Sequence, residues 1–360
     1  DAMDIHGGRA ICDGPSNYLQ AAYQMVPVGI TVEGANILTR SLITFTQGAL
    51  RSHPYLYREV QAAQQKDRQA GLEAFENAFC EHVAYSVSNV AGALFHYLSF
   101  GRFGISPLEA GSTSRWYRQL SRQSRNFALV ADVAVATLGG GLKTRQMLTG
   151  RMADALSELY LLSCVLKRFD DDGQQDADRI FVEMAARNSL DRFQIALSGA
   201  IDNFPNAAAR LFLGLVVFPF GHPYRPASDS LTRKVARAVT EPGETRDRLT
   251  RDIYISEDAN DPTGLLEVTL KKVIACEDAE KKLDKAVRAG TVRRYHGIDW
   301  FTQAVEAGVL EQGEAAQLRE AEALVARAIA VDHFDPAEVQ PNYKLPDGSA
   351  GASQEAEAAE

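Results

Sequence analysis

The chain has 360 residues, 46% hydrophobic and 24% charged, an ordinary balance for a globular protein with ample length to bury a core. A formal net charge of −9 excludes a general nucleic-acid binder, which needs a positive field. The four cysteines, Cys12, Cys80, Cys164 and Cys276, stand far apart without Cys-x-x-Cys spacing and read as reduced thiols of a cytosolic compartment. No apolar run approaches the ~20 residues of a membrane-spanning helix.

In chain order, helical periodicity dominates from residue 37 onward and alternating runs between hairpin turns are scarce, so the expected fold class is all-α. Residues 37–50 read as a helix that turns Leu38, Leu42, Ile43 and Phe45 toward the core. It ends at His53-Pro54, because a residue before proline is pushed out of the α region. Residues 61–70 are polar and place a domain boundary nearby. From Gly71 to about Phe100, Leu72, Phe75, Phe79, Val83 and Val87 recur at helical spacing, with Gly101 and Gly104 closing the element. Ser112-Thr113-Ser114 offers cap chemistry for a helix that runs to Gly139-Gly140-Gly141.

Residues 144–169 and 176–201 read as an antiparallel helical hairpin turning at Asp170-Asp171-Asp172-Gly173, with Leu156, Leu159, Leu162 and Leu166 as one seam. Residues 211–220 are the most apolar stretch. A loop with Pro223 and Pro226 then leads to helices near 228–240, 264–289 and 313–331. From Gln340 the composition cannot bury enough apolar surface to offset its ordering entropy, and the last twenty residues are expected to be disordered.

The densest chemical signal lies near the start. Asp4-Ile5-His6-Gly7-Gly8 is followed by Gly14-Pro15-Ser16-Asn17-Tyr18 and by Val32-Glu33-Gly34-Ala35-Asn36-Ile37-Leu38-Thr39-Arg40. On spacing alone, the commoner reading of Glu33 is a helix-start carboxylate favoured by the macrodipole. Together the three runs resemble the C-terminal active-site segment of the acyl-CoA dehydrogenase family, most closely its long bacterial fatty-acid members, the FadE type. The family carries Gln at the position of Asp4, an aromatic at that of Val32 and Thr at that of Ala35.

The resemblance implies a C-terminal helical bundle of the acyl-CoA dehydrogenase fold followed by a second helical-bundle extension, itself weakly similar to a degenerate copy of the first. Residues 1–60 would be the end of the helical domain with the catalytic-base segment, 61–339 the extension and 340–360 a disordered tail. The chain would be a C-terminal piece of a larger enzyme whose flavin-binding β-domain lies elsewhere, and inactive alone. By the same resemblance Glu33 is the catalytic base that removes the substrate's α-proton, and its backbone N–H donates to the thioester oxygen. Gly34 lets substrate approach the backbone closely. Asp4, Gly7, Gly8, Ala35, Asn36 and Ile37 line the FAD. The implied partners are fatty acyl-CoA, an electron-transferring flavoprotein or similar acceptor, and further copies of the chain in a homo-oligomer.

Arg115, Arg118, Arg122 and Arg125 recur at helical spacing and would share one face. Such a stripe is usually a solvated face. With the 211–220 run it also fits peripheral contact with anionic lipid, on the inner face of the cell membrane. Gly139–Thr144 lacks the glycine before lysine of a phosphate loop, and residues 258–262 carry proline at the fifth position of what would be a calcium loop. The seven histidines show no metal-ligand spacing, and Cys80-x-His82 reads as core packing. The alternative function is a helical interaction or membrane-docking module without catalytic residues.

Overall fold

Short polar side chains set many of the helix ends. In the computed structural model, which describes residues 1–12, 17–31, 34, 36–295 and 299–330, Asp67, Asn206, Ser228, Asp261 and Asp299 each stand at an N-cap and accept hydrogen bonds from the first-turn amides. Glu311 and Glu314 form a reciprocal capping box. Thr113 departs from this pattern: its hydroxyl donates to the Ala110 carbonyl at 2.7 Å and caps no amide.

The elements are α1 (Ala2–His6), a 3-10 turn (Gly7–Ile11), α2 (Gln20–Thr31), α3 (Asn36–Leu38), a π-helix (Thr39–Gln47) and α4 (Gly48–Ser52). Then follow α5 (Leu56–Ala63), α6 (Arg68–Leu98), α7 (Ser114–Leu138), α8 (Gln146–Asp171), α9 (Arg179–Asp202), α10 (Ala207–Val217) and α11 (Asp229–Thr240). The chain continues with α12 (Glu244–Thr250), α13 (Pro262–Ala275), α14 (Glu277–Arg288), α15 (Trp300–Glu306) and α16 (Gln312–Ile329). Among the described residues there is no strand, so the fold is all-α.

Two compact units form, one from Gly29–Leu249 and one from Asp1–Val28 with Thr250–Glu360. In the first, the expected hairpin is present as α8 and α9, and the seam expectation holds for Leu159, Leu162 and Leu166, which are buried. Leu162, Leu166 and Phe169 pack on Val182, Ala186 and Leu190. A larger cluster joins Phe45 and Leu129 to Met152, Phe193, Leu197, Phe204 and Leu213. The helical run Leu108–Thr144 is apolar and long enough to cross a membrane by length and composition, a run that the sequence reading missed. In this unit α7 packs on α6 and α8 and buries Leu129, Val130 and Ala134, with 33% of the apolar window buried.

In the second unit, α13–α16 enclose a core of Cys276, Leu283, Phe301, Leu310 and Leu318. The single helix expected over 264–289 is two, broken at the buried Cys276. The chain beyond residue 330, with its expected tail, lies outside the described residues.

Three expectations need correction, and one apolar stripe stays open. The helix expected at 37–50 is mostly π, with Thr44 and Thr46 hydroxyls donating to carbonyls five residues back, at Thr39 and Ser41. Of its expected core residues Phe45 is buried and Leu42 half-buried, whereas Leu38 and Ile43 are exposed. On α6 the stripe Leu72, Phe75, Phe79, Val83 and Val87 is exposed, because α5 and α7 pack on its other faces. Nor is the arginine stripe a solvated face: Arg122 is 4% exposed and lies over the Tyr97 ring at 4.7 Å. Only the Arg115 end is open, pairing with Glu183 at 3.4 Å over the Trp116 ring.

Candidate functional site

The residues singled out near the start divide between the two units. In the N-terminal segment Asp4 is exposed at the middle of α1, and Gly7 ends that helix with φ 62°, a conformation that favours glycine. Nothing lies within 4 Å of where a Cβ would stand on Gly7 or Gly8, so this backbone is open to close approach by a flat ligand. Asn17, in the Gly-Pro-Ser-Asn-Tyr run, fastens the turn to α2. Its side-chain amide donates to the Arg9, Ala10 and Cys12 carbonyls, and its oxygen accepts from the Leu19 and Gln20 amides at 2.8 Å. His6 and Tyr18 hydrogen-bond, and burial raises the Tyr18 phenol above its ordinary value. Sequence reading quoted Asn17 and Tyr18 but gave neither a role.

Glu33 and Ala35 lie outside the described residues. Gly34 between them has φ +80°, so the Glu-Gly pair needs glycine for its backbone as well as for access. Asn36 opens α3, and Ile37 is exposed. The motif's last residue, Arg40, is anchored: its guanidinium makes a two-pronged contact with Asp154 of α8, Nε donating to Oδ1 at 2.6 Å. Gly150 admits that arm, since a Cβ there would stand 2.6 Å from an Arg40 nitrogen. The bond to Asp154 raises Arg40 above its ordinary value.

A second constellation is absent from the sequence reading. His53 from the turn before α5, Glu59 of α5, His82 and Ser86 of α6 and Asp132 of α7 meet at one end of an apolar groove. The groove has a volume of about 500 Å³ and is walled by Phe79, Val83, Val87, Val133 and Phe212. Asp132 is buried; its Oδ1 accepts from His53 Nε2 at 2.8 Å and its Oδ2 from the Ser86 hydroxyl at 2.9 Å. His53 Nδ1 accepts from the Tyr55 and Leu56 amides at 3.2 Å, which leaves its proton on Nε2. Glu59 Oε1 accepts from His82 Nδ1 at 2.8 Å. Ser86 is no nucleophile here, because it donates to the carboxylate and not to an imidazole. The only signal in the sequence was composition, since the histidines are 29 residues apart and the aspartate 50 further on.

A family model described as "Acyl-CoA dehydrogenase, C-terminal, bacterial type" matches residues 50–334, most of the chain. The chain belongs to this family. No solved structure matches it. As a bacterial-type acyl-CoA dehydrogenase C-terminal domain, it carries the five-residue constellation inside the matched span, and the Glu33-Gly34 motif just upstream of it. Its family suggests an oxidoreductase that in general takes acyl-CoA, uses FAD and forms oligomers. Toward such a flavin the open Gly7-Gly8 backbone fits, while the exposed carboxylate of Asp4 offers no donor to a diphosphate.

Proposed function

We propose that this chain is the C-terminal part of a FAD-dependent acyl-CoA dehydrogenase that oxidises fatty acyl-CoA to trans-2-enoyl-CoA in fatty-acid β-oxidation. The observation that carries this reading is the Val32-Glu33-Gly34 motif standing directly before the family-matched span, with its glycine in the left-handed region. Glu33 removes the α-proton of the thioester, and its backbone N–H donates to the thioester oxygen as negative charge develops there. Gly34 admits the substrate to the backbone, and Arg40, held by Asp154, fixes the segment that follows. Gly7, Gly8, Ala35, Asn36 and Ile37 would hold the flavin, which when bound supplies hydride acceptance. Residues 1–60 form the catalytic-base segment, 61–339 the helical extension and 340–360 its tail. Electrons pass to an electron-transferring flavoprotein or similar acceptor, and the enzyme is a cytoplasmic homo-oligomer whose contact with the inner face of the membrane rests on the apolar 211–220 run, since Arg122 of the arginine stripe is buried.

In the complete enzyme, Glu33→Gln keeps size and packing but removes the base. Flavin and acyl-CoA should still bind, while reduction of the flavin by substrate slows by at least ~10²–10⁴-fold. A near-normal rate of flavin bleaching would place the base elsewhere. The 360-residue chain with added FAD is expected to show no turnover.

The second reading, a helical docking module, draws support from the exposed apolar stripe on α6. It gives Glu33-Gly34 no task, so an unaffected Glu33→Gln enzyme would favour it.

A further inference from the structure

We infer that His53, His82 and Asp132 form a binding site for a divalent transition metal of the zinc class. The inference stands apart from the dehydrogenase reading and rests on the groove end alone.

The donor atoms come from three elements and lie within 4.8 Å of one another. Two imidazoles and one carboxylate are a set that zinc takes in sites that keep a further position for water. The decisive pair is His82 and Asp132. Glu59 Oε1 accepts from His82 Nδ1, which turns the other ring nitrogen, Nε2, toward Asp132 Oδ1 at 3.9 Å. That distance is too long for a hydrogen bond, so the two atoms face each other without a direct bond. A cation would bond both, since 3.9 Å spans two bonds of about 2.0–2.2 Å at a wide angle, and the 2.8 Å His53–Asp132 pair would open by about half an ångström toward tetrahedral spacing.

The surroundings match a metal site in two further respects. Glu59 behind His82 makes the carboxylate–histidine pair that orients metal-bound imidazoles, and Ser86 fixes the outer oxygen of Asp132. Charge points the same way. The carboxylates of Glu59 and Asp132 are 13% and 6% exposed, and the polar groups on the groove's α5, α6 and α7 walls comprise these two, Ser86 and His82, with no lysine or arginine. His53 resists: coordination through Nε2 gives up its 2.8 Å bond to Asp132 and moves its proton to Nδ1, which gives up the two 3.2 Å contacts to the Tyr55 and Leu56 amides. The bond to Asp132 is the larger loss, so the expected consequence is moderate affinity.

The test uses the 360-residue chain, stripped with chelator and titrated with zinc(II) and with cobalt(II) as a coloured probe. One equivalent of zinc should bind and raise the melting temperature, magnesium should not, and cobalt should show visible absorption that zinc displaces. His82→Gln should abolish the cobalt spectrum, and Glu59→Gln should weaken binding about 10–100-fold. Exposed His222→Gln should leave binding unchanged. Absence of stoichiometric zinc binding by the unaltered chain would overturn the inference, as would an unchanged cobalt spectrum in His82→Gln. Should His82→Gln fail to fold, full-strength binding by Glu59→Gln would do the same.

Discussion

Gly264 and Gly313, in the same helical unit, should respond to alanine with opposite sign. Gly264 sits in the first turn of α13, where a Cβ would stand 2.2 Å from the Asp258 carbonyl oxygen and 2.8 Å from the Ser256 hydroxyl. Ordinary contact begins at 3.4 Å, so the Asp258 backbone must retreat by at least 1.2 Å, the difference of the two distances. That loop also carries Asp261, whose carboxylate caps α13 by accepting from the Thr263 and Gly264 amides at 2.8 Å. Overpacking costs about 1–3 kcal/mol and a weakened cap about 1 kcal/mol. The stiffer unfolded chain returns about 0.4–1 kcal/mol, for a net loss of about 1–4 kcal/mol. Gly313, exposed in α16 with nothing within 4 Å, has only the favourable term and should gain about 0.4–1 kcal/mol. Trp300 lies beside this unit's core, and the chain's other tryptophan is Trp116, so urea unfolding followed by fluorescence in a Trp116→Phe background reads this unit alone. A Gly264→Ala midpoint corresponding to less than 0.5 kcal/mol of change would refute the steric argument.

Burial, with the Asp170 carboxylate bonded to its hydroxyl, raises the Tyr117 phenol well above its ordinary 10.0. A raised folded-state value stabilises fully below pH 10 and is lost as pH climbs toward it, so alkaline unfolding should steepen above pH 10 and be flatter in Tyr117→Phe, as denaturant midpoints across that range would show. An unchanged alkaline limb would refute it. Arg122→Ala should destabilise the Gly29–Leu249 unit by about 2 kcal/mol through the lost contact with Tyr97, whereas Arg118→Ala should fall within about 0.5 kcal/mol, both by urea midpoint. Equal effects would restore the solvated stripe.

Much of the helical plan was legible because caps, prolines and spacing are local. His53-Pro54 ends α4, and the α8–α9 hairpin turns where the aspartates and Gly173 stand. Spacing shows that residues share a face but not which face meets a neighbour. The α6 stripe and the arginines of α7 have the same kind of repeat, yet Phe79 and Val83 stay exposed while Arg122 is buried under an aromatic ring from α6. Cys276 breaks a helix without proline or glycine, its thiol drawn into the core. The groove-end cluster was illegible for another reason: contacts among α5, α6 and α7 bring distant histidines to one carboxylate, and no local pattern encodes that meeting. Gly34 was read as an opening for close approach, and its positive φ adds a backbone reason that spacing did not show.

The π-helix from Thr39 to Gln47 acts as a spacer between the motif before it and the bundle after it. A π turn holds one more residue than an α turn, so it amounts to an insertion absorbed without lengthening a loop. Phe45 keys its later part into the core, and Arg40 ties its start to α8. Excising one residue between those two anchors would let the ladder relax to an α-helix. The helix on either side of the excision would keep close to its present facing, while the Thr44 and Thr46 hydroxyl bonds to carbonyls five residues back would be lost. Two chains of the same fold could thus differ by a single codon here and still place both anchors against the same core.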